Sequence, residues 1–152
     1  MAQGDVTIFQ VFRLELGKET HDLSSDALYV GLVDDTLTPA EDDTTPTWSD
    51  YSANEVTTGT SYSANGVALT NITWAVDGNG DVKLDADNVT VAQDASGFTD
   101  ARWAIIYNSD AASGEAIGFV DLGGAVSIQG GPLNINWDGT NGIARFGAGT
   151  IT

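Results

Sequence analysis

Apolar residues recur at every second position in two consecutive stretches of the chain, residues 101–108 (ARWAIIYN) and 116–124 (AIGFVDLGG). This period predicts two strands rich in β-branched and aromatic residues. The segment between them, 108–114, is small and polar and predicts the turn of a β-hairpin. Apolar side chains occupy both faces of these strands. We therefore expect each face to be covered by a second sheet, a helix or another subunit.

The N-terminal segment, residues 5–18, fits two periods. As a strand it places Ile8 and Phe12 on one face, whereas as a helix it forms a stripe of Phe9, Phe12 and Leu16. We favour the helix.

The charges at the two ends of this segment support the helix, because Asp5 complements a helix N-terminus and Lys18 a helix C-terminus. Gly17 supplies a stop signal. The chain then divides into an N-terminal arm with a short helix, residues 1–23, and a β-domain, residues 24–152.

Short apolar runs separated by turn-forming residues predict the remaining strands. Asp77-Gly78-Asn79-Gly80 is one such turn, since Asp-Gly and Asn-Gly supply the positive φ of tight hairpins. The pattern indicates a mostly β protein, a single-domain antiparallel β-sandwich or barrel-like fold with one short N-terminal helix. The runs are residues 27–33, 67–76, 82–84, 89–91, 126–128, 133–137 and 143–146.

Residues 34–46 form an acidic segment with threonine and proline and without periodicity. Loops of more than about 12 residues in a compact domain tend to be functional or mobile. We expect a contact arm here, carrying Leu37 and Pro39, with Trp48 and Tyr51 anchoring its far end.

Charge narrows the classes of partner. The 152 residues include 22 acidic and 5 basic ones, which gives a formal net charge of −17. Nucleic-acid binding requires clustered Lys and Arg, so this balance argues against it. Acidity suits three other roles, namely solubility, docking on a basic surface and binding of divalent cations. The chain has no cysteine, which excludes disulfides and thiol chemistry.

Two targeting signals are absent from the pattern. No apolar run reaches about 18 residues, and no basic segment followed by an apolar one marks a secretory signal. We therefore expect no membrane span and synthesis in the cytoplasm.

Candidate catalytic and metal-binding residues carry little signal. His21 lies among polar neighbours without a nucleophile motif, so a surface histidine is the favoured interpretation. Asp77-x-Asn79-x-Asp81, followed by Asp85 and Asp87, resembles the start of a calcium loop. However, Val82 replaces the required glycine and Asn88 the bidentate glutamate, which favours a solvated hairpin turn.

Two further kinds of site, a glycosidase site and a sugar-binding platform, can be judged only from the residue types present. Paired carboxylates are expected by chance among so many acidic residues, and no pair stands out as a glycosidase site. Trp48 and Tyr51 are candidates for a sugar-binding platform, whereas the tryptophans within strands fit core packing better. We expect no catalytic residue and no cofactor.

Taken together, the segments resemble small acidic β-rich virion proteins of tailed bacteriophages, of the head decoration (cement) or minor capsid type. The conjunction of a glycine-tyrosine turn, a tryptophan hairpin and a late Asn-x-Asn-Trp strand carries the resemblance. The matching segments are the helix with Phe9, Phe12 and Leu16, then residues 22–26, 28–33, 51–56, 59–62, 66–70, 73–74, 85–90, 101–108, 117–123, 133–137 and 142–143.

The resemblance implies a non-enzymatic protein that binds the assembled lattice of the major capsid protein at the surface of the virion and stabilises the head. Further copies of the chain, as a trimer or dimer, would cover the apolar hairpin. Expected contact residues are Phe9, Phe12, Leu16, Leu37, Pro39, Trp48 and Tyr51, although the apolar ones can equally pack on their own sheet. A tail or head-tail connector component and a carbohydrate-binding β-sandwich module are the alternatives.

Overall fold

A computed structural model describes residues 5–147. The chain is mostly β with antiparallel sheets in a single β-sandwich-like domain, as the sequence predicts. Two short helices, α1 (Gln10–Gly17) and α2 (Trp48–Tyr51), and a 3₁₀ turn over Ser52–Asn54 accompany the strands. The strands are β1 (Val6–Ile8), β2 (Leu28–Val33), β3 (Val67–Ala68), β4 (Thr73–Val76), β5 (Val82–Asp85), β6 (Val89–Val91), β7 (Ala101–Asn108), β8 (Ala116–Val126), β9 (Leu133–Ile135) and β10 (Ala144–Phe146).

The β7–β8 hairpin lies at the centre of a five-stranded antiparallel sheet with the order β1-β8-β7-β2-β3. In its register Ala104 lies opposite Val120, and Ile105 opposite Phe119. The hairpin predicted from the alternating pattern is therefore confirmed. Two smaller sheets, β10-β5-β4 and β6-β9, complete the fold.

Both faces of the hairpin are buried within the chain itself. On one face, Ile106 and Val120 join a large core with residues of the two smaller sheets, including Leu84 and Ile135. On the other face, the β7 and β8 side chains form a second cluster with Phe9 and residues of α2; its members are Phe9, Val33, Trp48, Tyr51, Trp103, Ile105, Tyr107, Ala116 and Phe119. The predicted coverage of both faces is confirmed, and a second sheet and a helix of the same chain provide it. The hairpin thus supplies no apolar face that requires another copy.

The N-terminal segment contains both elements that its pattern allows. β1 pairs with β8 as an edge strand, with Val6 opposite Val120. Phe9 has extended backbone angles (φ −62°, ψ 135°) and α1 begins at the next residue. The prediction that Asp5 complements the helix N-terminus is therefore wrong, because Asp5 precedes a strand.

Two predicted strands differ from the structure by more than the position of their ends. Residues 67–76 form β3 and β4 instead of one strand, because Asn71 adopts a positive φ of 52° between them. Residues 126–128 are not a separate strand, since β8 itself continues through two glycines to Val126. Two glycines therefore lie inside one long strand, where the pattern predicts the end of one strand and the start of another.

Asp94 joins two loops through its carboxylate, which accepts the backbone N–H of Ser96 (2.9 Å), Thr60 (2.8 Å) and Ser61 (3.3 Å). These hydrogen bonds lower the pKa of the Asp94 carboxyl below its ordinary value, and the bond from Ser96 contributes most. A carboxyl with a lowered pKa in the folded state stabilises the fold above its unfolded-state pKa, about 3.9, and this stabilisation is lost as the pH falls through the folded-state value.

Replacing Asp94 by Asn removes this titration. We expect Asp94→Asn to melt at a lower temperature than the unsubstituted protein near neutral pH, with a difference that shrinks below about pH 4. Thermal melts followed by circular dichroism between about pH 7 and pH 2 measure the difference. A difference that is constant over this range would contradict the role assigned to the carboxylate.

Candidate functional site

The acidic loop, residues 34–46, connects β2 to α2 and is fixed to the body of the protein at several points. The backbone oxygen of Glu41 accepts the N–H of Gln10 (2.8 Å), and the backbone oxygen of Pro46 accepts the N–H of Ala116 (2.8 Å). The hydroxyl of Tyr51 donates to Asp43 Oδ2 over 2.9 Å. The loop is thus a fixed part of the surface.

Helix α2 anchors the far end of this loop, as the sequence predicts. The backbone N–H and the hydroxyl of Thr47 both donate to the Asp50 carboxylate, at 2.9 and 2.8 Å, and so close the start of the helix. The Trp48 ring stacks on Tyr107 with centroids 4.9 Å apart and an angle of 5° between the planes. Gly31 makes this position possible, because a Cβ at Gly31 would collide with the Trp48 ring.

Basic residues are absent from the segment that contains this loop and α2. Residues 34–55 contain seven acidic residues and no Lys or Arg; the seven are Asp34, Asp35, Glu41, Asp42, Asp43, Asp50 and Glu55. Elsewhere carboxylates meet basic side chains, as in the pairs of Arg145 with Asp77 (2.9 Å) and Lys83 with Asp85 (2.8 Å). We call the surface formed by residues 34–55 the acidic face.

An exposed leucine and a small cleft lie on the acidic face. Leu37 is 39% exposed, one of three large apolar residues exposed among those described. It borders a cleft of about 270 Å³ that is also lined by Asp43, Asp50 and Tyr51. Burial, together with the hydrogen bond to Asp43 and the charges of Asp43 and Asp50, raises the pKa of Tyr51. Its hydroxyl therefore stays protonated and continues to donate to Asp43.

The predicted contact residues divide into buried and accessible ones. Phe9 and Phe12 are 0% exposed, Tyr51 is 2% exposed and Trp48 is 7% exposed. Pro39 is buried as well, and Leu16 is half-buried. The expectation that the helix phenylalanines reach other subunits does not fit this burial, since they pack on their own sheet. Phe9, Trp48 and Tyr51 come together in one cluster, Phe12 lies in the other, and Leu37 remains available to a partner.

Two exposed apolar residues were not expected as contact residues. Leu14 on α1 is 56% exposed and Val76 at the end of β4 is 67% exposed. In the helical pattern Leu14 lies off the stripe of Phe9, Phe12 and Leu16, which is the signal that identifies it as outward-facing.

His21 is buried, so its interpretation as a surface histidine is wrong. It is 6% exposed and packs against the Phe12 ring at 5.1 Å. Its Nε2 lies 3.1 Å from Glu15 Oε2, and its Nδ1 lies 3.1 Å from Nδ2 of Asn108. The same Asn108 Nδ2 donates to Asp26 Oδ2 over 2.6 Å. The histidine belongs to a polar network that joins α1 to the end of β7.

The segment resembling a calcium loop forms the β4–β5 hairpin, as the turn pattern predicts. Asp77 Oδ1 accepts the N–H of Asn79 (2.8 Å) and that of Asp81 (3.1 Å), while both aspartates contact Arg145. Within residues 5–147 no group of three or more histidine, cysteine or acidic residues is arranged to bind a metal ion. These carboxylates therefore stabilise the turn and form ion pairs with Arg145 of β10.

The platform of exposed Trp48 and Tyr51 expected for a carbohydrate module is not formed, because both side chains are nearly covered. Comparisons with protein-family models, curated proteins and solved structures found no match. No helix among the described residues is long and apolar enough to cross a membrane. The candidate site therefore rests on the geometry and charge of the acidic face.

Proposed function

We propose that the chain is a non-enzymatic structural protein of a bacteriophage particle, which docks through its acidic face on a basic and partly apolar surface of the major capsid protein and stabilises the head. The observation that carries this proposal is the acidic face, residues 34–55, with seven carboxylates, no Lys or Arg in that range and an exposed Leu37. The resemblance of the sequence to head decoration proteins supplies the class of partner.

Charge and apolar contact have different roles in this docking. The carboxylates attract a basic surface over about one Debye length, roughly 10 Å at 0.1 M salt, and so speed association. Burial of Leu37 and of the cleft beside it then holds the complex. Because the protein binds the assembled lattice and not its separate subunits, each bound copy adds to the stability of the shell by mass action.

A binding experiment with capsids tests the proposal. Purified chain is mixed with empty and with mature capsids of the parent bacteriophage, at low and at high salt, and co-sedimentation and association rate are measured. We expect binding to persist at high salt with slower association. Absence of binding to either capsid would refute the proposal.

The same mixture separates head from tail. Electron microscopy of labelled copies would reveal density over the whole shell for a decoration protein. Density at one vertex or along the tail would favour the alternative, a tail or head-tail connector component.

Leu37 provides a sharper test. We expect Leu37→Ser to weaken capsid binding about fivefold per copy, since about 1 kcal/mol of apolar burial is lost. The matched control is Leu14→Ser, because Leu14 is also an exposed leucine but lies on α1, outside the acidic face. Equal effects of the two substitutions would contradict docking through the acidic face.

A further inference from the structure

A second cleft, of about 500 Å³, opens beside the turn of the β7–β8 hairpin. None of the residues that line it is acidic or basic, although the chain carries a net charge of −17. The cleft beside Leu37, by comparison, includes Asp43 and Asp50. The lining residues include Tyr29, Trp48, Ala64, Asn65, Tyr107 and Ser113. We call this the uncharged cleft.

Three aromatic rings form one wall of the uncharged cleft. Trp48 stacks on Tyr107, and half-buried Tyr29 lies beside Tyr107 with ring centroids 5.9 Å apart. Asn65 holds two of these rings in place, because Trp48 Nε1 donates to its Oδ1 over 3.2 Å and the Tyr107 hydroxyl donates to its backbone oxygen over 2.6 Å. The wall is therefore formed before any ligand arrives.

Polar groups with free hydrogen-bonding capacity surround this wall. Among the described residues, the Nδ2 of Asn65 and the hydroxyls of Tyr29 and Ser113 have no hydrogen-bond partner. Burial, with smaller contributions from the charges of Glu55 and Tyr29, raises the pKa of Tyr107 to about 12. Tyr107 thus carries no charge at neutral pH.

These features define the chemistry of the ligand. An anion would be repelled by the net charge of the protein, and a cation would find no carboxylate within the cleft. Aromatic faces bind flat apolar surfaces, while neutral amide and hydroxyl groups bind hydroxyls. We propose that the uncharged cleft binds a neutral saccharide, with the C–H face of one sugar ring against Tyr29 and the edge of Trp48 and its hydroxyls on Asn65 and Ser113. This site adjoins the acidic face at Trp48, Ser49 and Ser52, but its lining includes neither Leu37 nor any of the seven carboxylates, and its occupation does not depend on capsid binding.

Blocking the cleft without disturbing the core tests this site. Ala64 is exposed and lies in the turn from Ser63 to Gly66, which is closed by a hydrogen bond of 3.1 Å. We expect Ala64→Trp to fill the cleft and to lower affinity for neutral saccharides at least about tenfold. The control is Ala95→Trp, since Ala95 is equally exposed but lies in another loop, beside Asp94.

The measurement is binding of neutral and acidic glycans on an array, followed by titration of the ¹⁵N-labelled protein with the neutral mono- and oligosaccharides that bind. Shifts of the Trp48 indole and Asn65 amide signals, lost in Ala64→Trp and retained in Ala95→Trp, would support the proposal. No binding of a neutral glycan, preference for acidic glycans, or equal binding by Ala64→Trp would overturn it. Leu37→Ser should leave glycan binding unchanged, so that failure at this site is distinguishable from failure of capsid docking.

Discussion

Replacing Phe9 by Ala is expected to lower the free energy of unfolding by about 3–5 kcal/mol. The Phe9 ring is fully buried, lies 5.3 Å from the Phe119 ring and 6.4 Å from the Tyr51 ring, and closes the cluster between the central sheet and α2. Its backbone N–H bond to Ile117 (3.1 Å) is retained in the variant, so the loss reports the side chain alone. Urea denaturation followed by tryptophan fluorescence measures it.

Leu14→Ala is the matched control, because Leu14 lies on the adjoining helix with 56% of its surface exposed. We expect this change to alter stability by less than about 0.5 kcal/mol. If Phe9→Ala instead folds with unchanged stability and loses binding to capsids, Phe9 is a contact residue and not a core residue. The experiment thus decides between the two roles that the amphipathic pattern allows.

The central hairpin could be predicted because its signal is local. β7 alternates large apolar residues over eight positions, and a polar turn separates it from β8. The smaller sheets follow from similar runs and from turns such as the one at Asp77. The pattern does not show which element covers each face of the hairpin. A face that packs on α2 and a face that packs on another subunit have the same composition.

The N-terminal segment marks the limit of periodicity. β1 has three residues and α1 has eight. Each element is too short for its period to exclude the other kind of element in this segment. The change occurs at Phe9, where one residue in extended conformation turns the chain from an edge strand into a helix. Pairing of β1 with β8, more than 100 positions away, decides the outcome, and such pairing leaves no local trace.

The candidate site, too, could be predicted only in part. Composition identifies the acidic loop and the anchoring role of Trp48 and Tyr51, because a long charged segment followed by aromatic residues is visible in one dimension. It does not identify which side chains face outward. Without periodicity, Leu37 and Pro39 are equivalent in sequence, whereas in the fold Leu37 is exposed and Pro39 is buried.

Replacing Asn108 by Ala is expected to lower the free energy of unfolding by about 3 kcal/mol, because buried His21 and three partly buried groups lose their hydrogen-bond partner together. Asn108 is fully buried, and its Oδ1 accepts the N–H of Asp110 (2.9 Å) and that of Ala111 (3.2 Å). Its Nδ2 faces both Asp26 and His21. The measurement is chemical denaturation, with Asn136→Ala as control, since Asn136 is exposed on the segment after β9.

The orientation of Asn108 also determines the state of His21. Two backbone N–H groups fix Oδ1, so Nδ2 must face the imidazole and Nδ1 must accept a hydrogen bond. We therefore expect Nε2 of His21 to carry a proton and to donate it to Glu15. Imidazole ¹⁵N shifts measure this tautomer directly, and they should change in Asn108→Ala but not in Asn136→Ala. A proton on Nδ1 in the unsubstituted protein, or full stability of Asn108→Ala, would contradict the network that ties α1 to the end of β7.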